Sequence, residues 1–207
     1  MYPKNMSKKI IGVIGEHPNN DAEAIVALLQ KYIVKEKWEL QPCPLKIRGS
    51  QLDNLKLFAA SVQSEKENEN YECFIIVRDL DVERKEKDKD KINKREKWFK
   101  NVSQILFQES FFFILIYELE TLILCDLDTA NSYFGSEITI SELPIKINNP
   151  KEFLANKTKN AKKRYDTSHA KTLCAELDFY KLYENHQGKH SFKSFVDELK
   201  SSNILDF

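Results

Sequence analysis

Cys73-Phe74-Ile75-Ile76-Val77, followed one residue later by Asp79-Leu80-Asp81, is the stretch on which the fold of this chain turns. Five consecutive apolar residues, most of them β-branched or aromatic, describe a strand covered on both faces. Side chains two apart on extended backbone point to the same side, so Asp79 and Asp81 are expected to leave the strand's end together. At roughly 5 Å and an effective dielectric near 20, two such carboxylates repel by on the order of 3 kcal/mol, and a divalent cation turns that repulsion into attraction.

Similar runs lie on either side of this strand. Lys9-Ile10-Ile11-Gly12-Val13-Ile14 reads as a buried strand, followed by the turn Gly15-Glu16-His17-Pro18-Asn19-Asn20. A helix capped by Asp21 is expected next, with Ile25, Leu28, Leu29, Tyr32 and Ile33 on its buried stripe. A second helix is predicted from Ser50, burying Leu52, Leu55, Phe58, Ala59 and Val62 and ending in the polar stretch Ser64 to Asn70. After the Asp79 strand comes a mixed charge run, Glu83 to Lys97, read as a solvated helix that docks late through Ile92, Phe99, Val102 and Leu106. Phe111 to Tyr117 is apolar at every position and reads as a third buried strand, passing into a helix through Glu118-Leu119-Glu120.

Strands alternating with helices imply a parallel-rich α/β sheet flanked by helices. Beyond Asn131 the pattern changes: Pro144, Asn148, Asn149 and Pro150 break the chain, and helices are expected over 151–164, 169–177 and 191–199, the last capped by Ser191. The expected organisation is an α/β core over 1–130 and a helical C-terminal extension over 131–207 packed on it.

Composition sets bounds on function. The 207 residues are 42% apolar, enough for a sizeable core, and 32 Lys plus Arg balance 32 Asp plus Glu, so any nucleic-acid surface must be local. Cys43, Cys73, Cys125 and Cys174 show no CxxC spacing and read as reduced thiols. The apolar run at 111–117 is about a third of a membrane span, and Met1-Tyr2-Pro3-Lys4 leads into a strand without a hydrophobic leader, so a cytoplasmic protein with no membrane partner is expected.

In a parallel sheet, functional groups gather at the carboxyl ends of the strands. Three expected strand exits carry acids: Glu16, then Asp79 and Asp81, then Glu118 and Glu120. Neighbouring strands would bring these carboxylates to one edge, an arrangement that needs a metal, protons or basic partners to compensate it. Hard oxygen ligands holding Mg²⁺ suit phosphodiester cleavage, which requires charge stabilisation and an activated water. His17, beside Glu16, is a weaker candidate, because a turn histidine before proline is commonly just exposed. Lys157, Lys159, Lys162, Lys163 and Arg164 form a single-sign basic stretch; Lys163 and Arg164 are its best candidates for nucleic-acid phosphates, and Tyr165 for stacking on a base. A solvated helix face is the competing reading of that stretch.

Gly15-Glu16 after the first strand, together with a strand ending in Asp79-Leu80-Asp81, resembles the Toprim domain shared by topoisomerases, bacterial primases, small ribonucleases and OLD-family nucleases. Tyr117-Glu118-Leu119-Glu120-Thr121-Leu122-Ile123-Leu124-Cys125-Asp126 is similar to a Glu-x-Glu-x-x-Leu-x-x-Asp stretch of small bacterial Toprim-like proteins. The resemblance covers about Ile10 to Asp126. It departs from the pattern where His17-Pro18-Asn19 replaces small residues and where Thr121 follows the second glutamate.

The resemblance implies a Rossmann-like fold with Glu16 as general acid/base or metal ligand and Asp79 and Asp81 as ligands of Mg²⁺ or Mn²⁺. Glu120 and Glu118 would complete a second metal position. The implied function is a metal-dependent nuclease acting on DNA or RNA in a prokaryotic defence or nucleic-acid-processing system. Two alternatives are an interaction subunit governed by a separate ABC/OLD-type ATPase, since the chain has no GxxxxGK[ST] loop, and a non-catalytic module binding a phosphorylated ligand. The all-apolar Phe111-Phe112-Phe113 stretch suits either the core or the seam of a homo-oligomer, and the sequence leaves both open.

Overall fold

The computed structural model describes residues 8–80, 88–106, 110–115, 118–187 and 190–207. Among these, strands β1 (Lys9–Ile14), β2 (Trp38–Pro42), β3 (Tyr71–Asp79) and β4 (Ser110–Leu115) form one sheet in the order β2-β1-β3-β4. Every pairing is parallel, with Ile14 opposite Ile76 and Asp79 opposite Leu115. The α/β architecture read from the alternation of strands and helices is therefore present, with helices on both faces of the sheet.

Pleat alternation along β3 divides the interior in two. Cys73, Ile75 and Val77 join the larger apolar cluster, with Ile25 and Leu28 of α1 (Glu23–Leu29) and Leu173 of α7 (Ala170–Glu176). Phe74 and Ile76 point the other way, into a cluster with Phe58 and Val62 of α2 (Leu55–Asn68) and Trp98 and Val102 of α3 (Asp88–Leu106). The same alternation carries Asp79 to the first side and Arg78 to the second.

The remaining regular elements of the described residues are helices. Between β4 and α7 come α4 (Glu120–Leu124), α5 (Leu127–Phe134) and α6 (Pro150–Lys157); α8 (Phe179–Asn185) and α9 (Phe192–Ser201) close the fold. Phe179, Phe192 and Phe195 belong to the same apolar cluster as Phe113 of β4, so the C-terminal helices share the sheet's core. Ser191 caps α9 as expected, its hydroxyl accepting from Ser194 N at 3.2 Å. The four cysteines are buried thiols with no disulfide among them, and burial pushes Cys43, Cys125 and Cys174 each up to about 12.

Several boundaries differ from the sequence reading. β2 was not anticipated. Gly49–Asp53 is a 3₁₀ turn, so α2 begins at Leu55, capped by Asn54, whose side chain accepts from Leu57 N at 3.2 Å; it continues through Ser64 to Asn68. Asp21 does not cap α1: its Oδ2 accepts from His17 N at 2.9 Å across a π-helical turn over Pro18–Ala22. The helix expected over 151–164 stops at Lys157. Thr158 turns its hydroxyl to Leu154 O (2.7 Å) and to Tyr165 N (2.7 Å), folding the following segment back, so Lys163 and Arg164 are not helical. Among the described residues no helix is long and apolar enough to cross a membrane.

Candidate functional site

The order β2-β1-β3-β4 places the topological switch between β1 and β3, because the chain leaves β1 toward one edge for β2 and returns to its other side for β3. Connections diverge from such a point, which opens a crevice above the carboxyl ends of the two strands. Glu16 follows β1 there, and Asp79 ends β3.

Gly15 sets the approach of Glu16. A Cβ at this position would lie 2.8 Å from Ala22 N and 2.8 Å from the Asp21 Cβ, so only glycine lets the end of β1 close against the turn that leads into α1. The π-helical turn then folds Asp21 back over His17.

A cavity of about 370 Å³ occupies the crevice, lined by Glu16, His17, Asn20, Asp21, Asp79, Glu118, Leu119, Glu120, Lys151, Thr167 and Ala170. Carboxylates from the exits of β1, β3 and β4 therefore meet in one pocket. Asp81, the remaining predicted acid, lies outside the described residues. Among the described lining residues Lys151 brings a positive charge, and its backbone N donates to Glu118 Oε2 at 3.3 Å. Glu120 is buried and accepts a short hydrogen bond from the Tyr165 hydroxyl. Burial and the neighbouring Glu120 carboxylate raise the Tyr165 hydroxyl well above its ordinary value, so it stays a donor. Burial also raises Asp21.

Arg78, 1% exposed, is the residue the sequence reading missed. Its Nε donates to Glu16 Oε1 at 2.6 Å and its Nη2 to Asp53 Oδ1 at 3.0 Å, while its guanidinium lies 4.7 Å from the Trp98 ring centre. Arg95 of α3 reaches the same two acids, donating to Asp53 at 2.7 Å and to Glu16 at 3.4 Å. Glu16 is thus held by two arginines on one side while lining the acidic pocket on the other. Nothing in the sequence pattern marked Arg78, because an arginine near a strand end is ordinary and its partners lie 25 and 62 residues away.

The other predicted residues take different places. Lys163 stacks its ammonium 4.1 Å over the Tyr133 ring, and Arg164 is exposed. Tyr165 is interior, 5% exposed and bonded to Glu120, so it presents no face for a base. Asp126, the last residue of the Glu-x-Glu-x-x-Leu-x-x-Asp stretch, is buried at the start of α5, where it takes bonds from Thr129 N (3.4 Å), Asp178 N (2.9 Å) and Lys181 Nζ (3.0 Å). Burial alone would raise its carboxyl, but these donors outweigh it and leave the group below its ordinary value.

Among the described residues, no three His, Cys, Asp or Glu side chains stand close enough to hold a metal ion by themselves. The donor chemistry nevertheless suits a hard cation. Mg²⁺ keeps several waters and takes one or two protein carboxylates plus substrate phosphates, so a closed protein shell is not what such a pocket needs. Comparison with protein-family models, curated proteins and solved structures finds no match to this chain.

Proposed function

We propose that this protein is a cytoplasmic, divalent-metal-dependent enzyme that cleaves phosphodiester bonds in nucleic acid, of the Toprim type its motifs resemble, serving a prokaryotic defence or nucleic-acid-processing system. One observation carries the reading: Glu16, Asp79, Glu118 and Glu120, delivered by the exits of three neighbouring parallel strands, line a single crevice at the switch point.

Asp79 and Glu118 are the described residues that would hold Mg²⁺ or Mn²⁺, with Glu120 deeper in the lining. The ion, when bound, supplies positive charge for the non-bridging phosphate oxygens and a more acidic water. Glu16 is the general acid/base: Arg78 and Arg95 fix its carboxylate at the border of the pocket, where it can take a proton from water or return one to a leaving oxygen. Tyr165 orients Glu120 by donating to it, and Lys151 offsets the negative charge of the lining.

The test is cleavage of labelled DNA and RNA by purified protein with Mg²⁺ or Mn²⁺. Asp79→Ala is expected to abolish cutting with an unchanged circular dichroism spectrum. A variant that cuts as fast as the parent removes the reading.

A further inference from the structure

Asp21 lines the acidic crevice, is only 8% exposed, and has no part in the reaction proposed above. A buried carboxylate needs donors to offset its lost hydration, and where it finds them shows what it holds. Asp21 stands in the π-helical turn Pro18–Ala22, a rare form of backbone. An aspartate at the start of a helix ordinarily accepts from N–H groups further along the chain. This one turns back: its Oδ2 accepts from His17 N at 2.9 Å, and its own backbone N donates to His17 O at 2.9 Å. The Glu16 N–H also turns to this carboxylate, and a Cβ on Gly15 would meet the Asp21 Cβ at 2.8 Å. One side chain therefore touches three consecutive residues at the exit of β1.

Those contacts bear on Glu16 more than on α1. Peptide units are planar, so the direction in which a side chain leaves the backbone is set by the two planes that flank its Cα. The His17 N–H belongs to the plane after Glu16, and the Glu16 N–H to the plane before it. Asp21 meets both. At the other end of the side chain, the Glu16 carboxylate receives Arg78 Nε at 2.6 Å and Arg95 Nη2 at 3.4 Å. The arginines fix where the Glu16 side chain ends, and Asp21 fixes where it starts.

We propose that Asp21 is a positioning residue for Glu16, acting through the Glu16–His17 peptide and not on substrate or metal. This rests on the nuclease reading, in which Glu16 moves the proton, and adds to it the residue that aims Glu16. What the turn requires of Asp21 is an acceptor at Oδ2, so an amide oxygen serves in its place.

The test compares Asp21→Asn, which keeps the acceptor, with Asp21→Ala, which removes it, in the full chain. The first readout needs no activity: amide hydrogen exchange of His17, followed by NMR, is expected to be about tenfold faster in Asp21→Ala, the scale of one lost hydrogen bond, and close to the parental rate in Asp21→Asn. The second is cleavage of nucleic acid with Mn²⁺. In Asp21→Ala, kcat is expected to fall about 100-fold with KM near the parental value, the scale for a shift of about 1 Å in a reacting group, while Asp21→Asn keeps a kcat near the parent's. A residue that only supports the fold would lower the urea midpoint and leave kcat per folded molecule unchanged; that result overturns the proposal. An equal loss of kcat in both variants assigns the effect to charge and overturns it too, as does parental His17 exchange in Asp21→Ala. Should Asp21→Ala not fold, Asp21→Leu fills the volume without an acceptor and takes its place. Failure of the nuclease reading shows itself separately, as a parent that does not cut or an Asp79→Ala that does, and His17 exchange then decides by itself whether Asp21 holds the turn.

Discussion

Arg78 illustrates what a single side chain can decide. A guanidinium almost wholly removed from water is tolerable only with anions against it, and Glu16 and Asp53 supply them. Replacing Arg78 by Met keeps the volume but removes the cation from Glu16; we expect a loss of about 3 kcal/mol in urea unfolding. A loss below about 1 kcal/mol would mean that Arg95 alone suffices to hold the acids. Gly15→Ala tests the approach of the β1 exit to Ala22. The methyl meets backbone at 2.8 Å, so the turn must shift, and we expect a cost of about 1–3 kcal/mol together with weakened activity; a variant as stable and active as the parent contradicts the packing described. The carboxylates themselves were legible in the sequence, because a strand run followed at once by an acid fixes where that acid emerges. Arg78, Asp53 and Arg95 were not, since the contacts that give them meaning join a strand, a 3₁₀ turn and a helix far apart along the chain.

At the scale of elements, the junction of α8 with α9 contains a titratable switch of stability. His186 is fully buried, its Nδ1 accepting from Phe192 N at 2.9 Å, and burial pushes it down to about 4. The folded value lies below the unfolded one, near 6.5, so the unfolded chain binds the extra proton between them. Stability therefore falls as pH drops from about 6.5 to about 4, by about 3 kcal/mol from this group. His186→Asn keeps an acceptor near the Nδ1 position and cannot titrate. Its unfolding free energy should lose that part of the pH slope, and an unchanged slope would assign the effect elsewhere. Asp126 joins α5 to α8, and Asp126→Ala removes an N-cap and strips Asp178 N and Lys181 of a partner. A loss of about 2 kcal/mol is expected by the same unfolding measurement. Elements with a continuous apolar run, β1, β3 and β4, could be read directly. β2 could not: Trp38-Glu39-Leu40-Gln41-Pro42 is short, lies at the sheet edge and ends in proline, so its alternation spans too few residues to stand out. The end of α6 was likewise hidden, because the lysines after Thr158 are good helix formers and only the tertiary bond from Tyr165 N to Thr158 turns the chain away.

For the whole molecule, one sheet places acids and bases on opposite sides of the same strand end. The pleat separates Asp79 from Arg78, the switch point gives Asp79 and Glu16 a common crevice, and α3 brings Arg95 across to Glu16 at the border of that crevice. An acidic crevice that takes a cation should also be stabilised by it: millimolar Mg²⁺ or Mn²⁺ is expected to raise the melting temperature of the parent and to have a smaller effect on Asp79→Ala. The most direct measurement is a crystal of the protein soaked in Mn²⁺, with anomalous scattering used to locate the ion. A peak in the crevice against Asp79, beside Glu16 and Glu118, is the predicted result. Ordered crystals with manganese bound elsewhere and none against Asp79 would contradict the account.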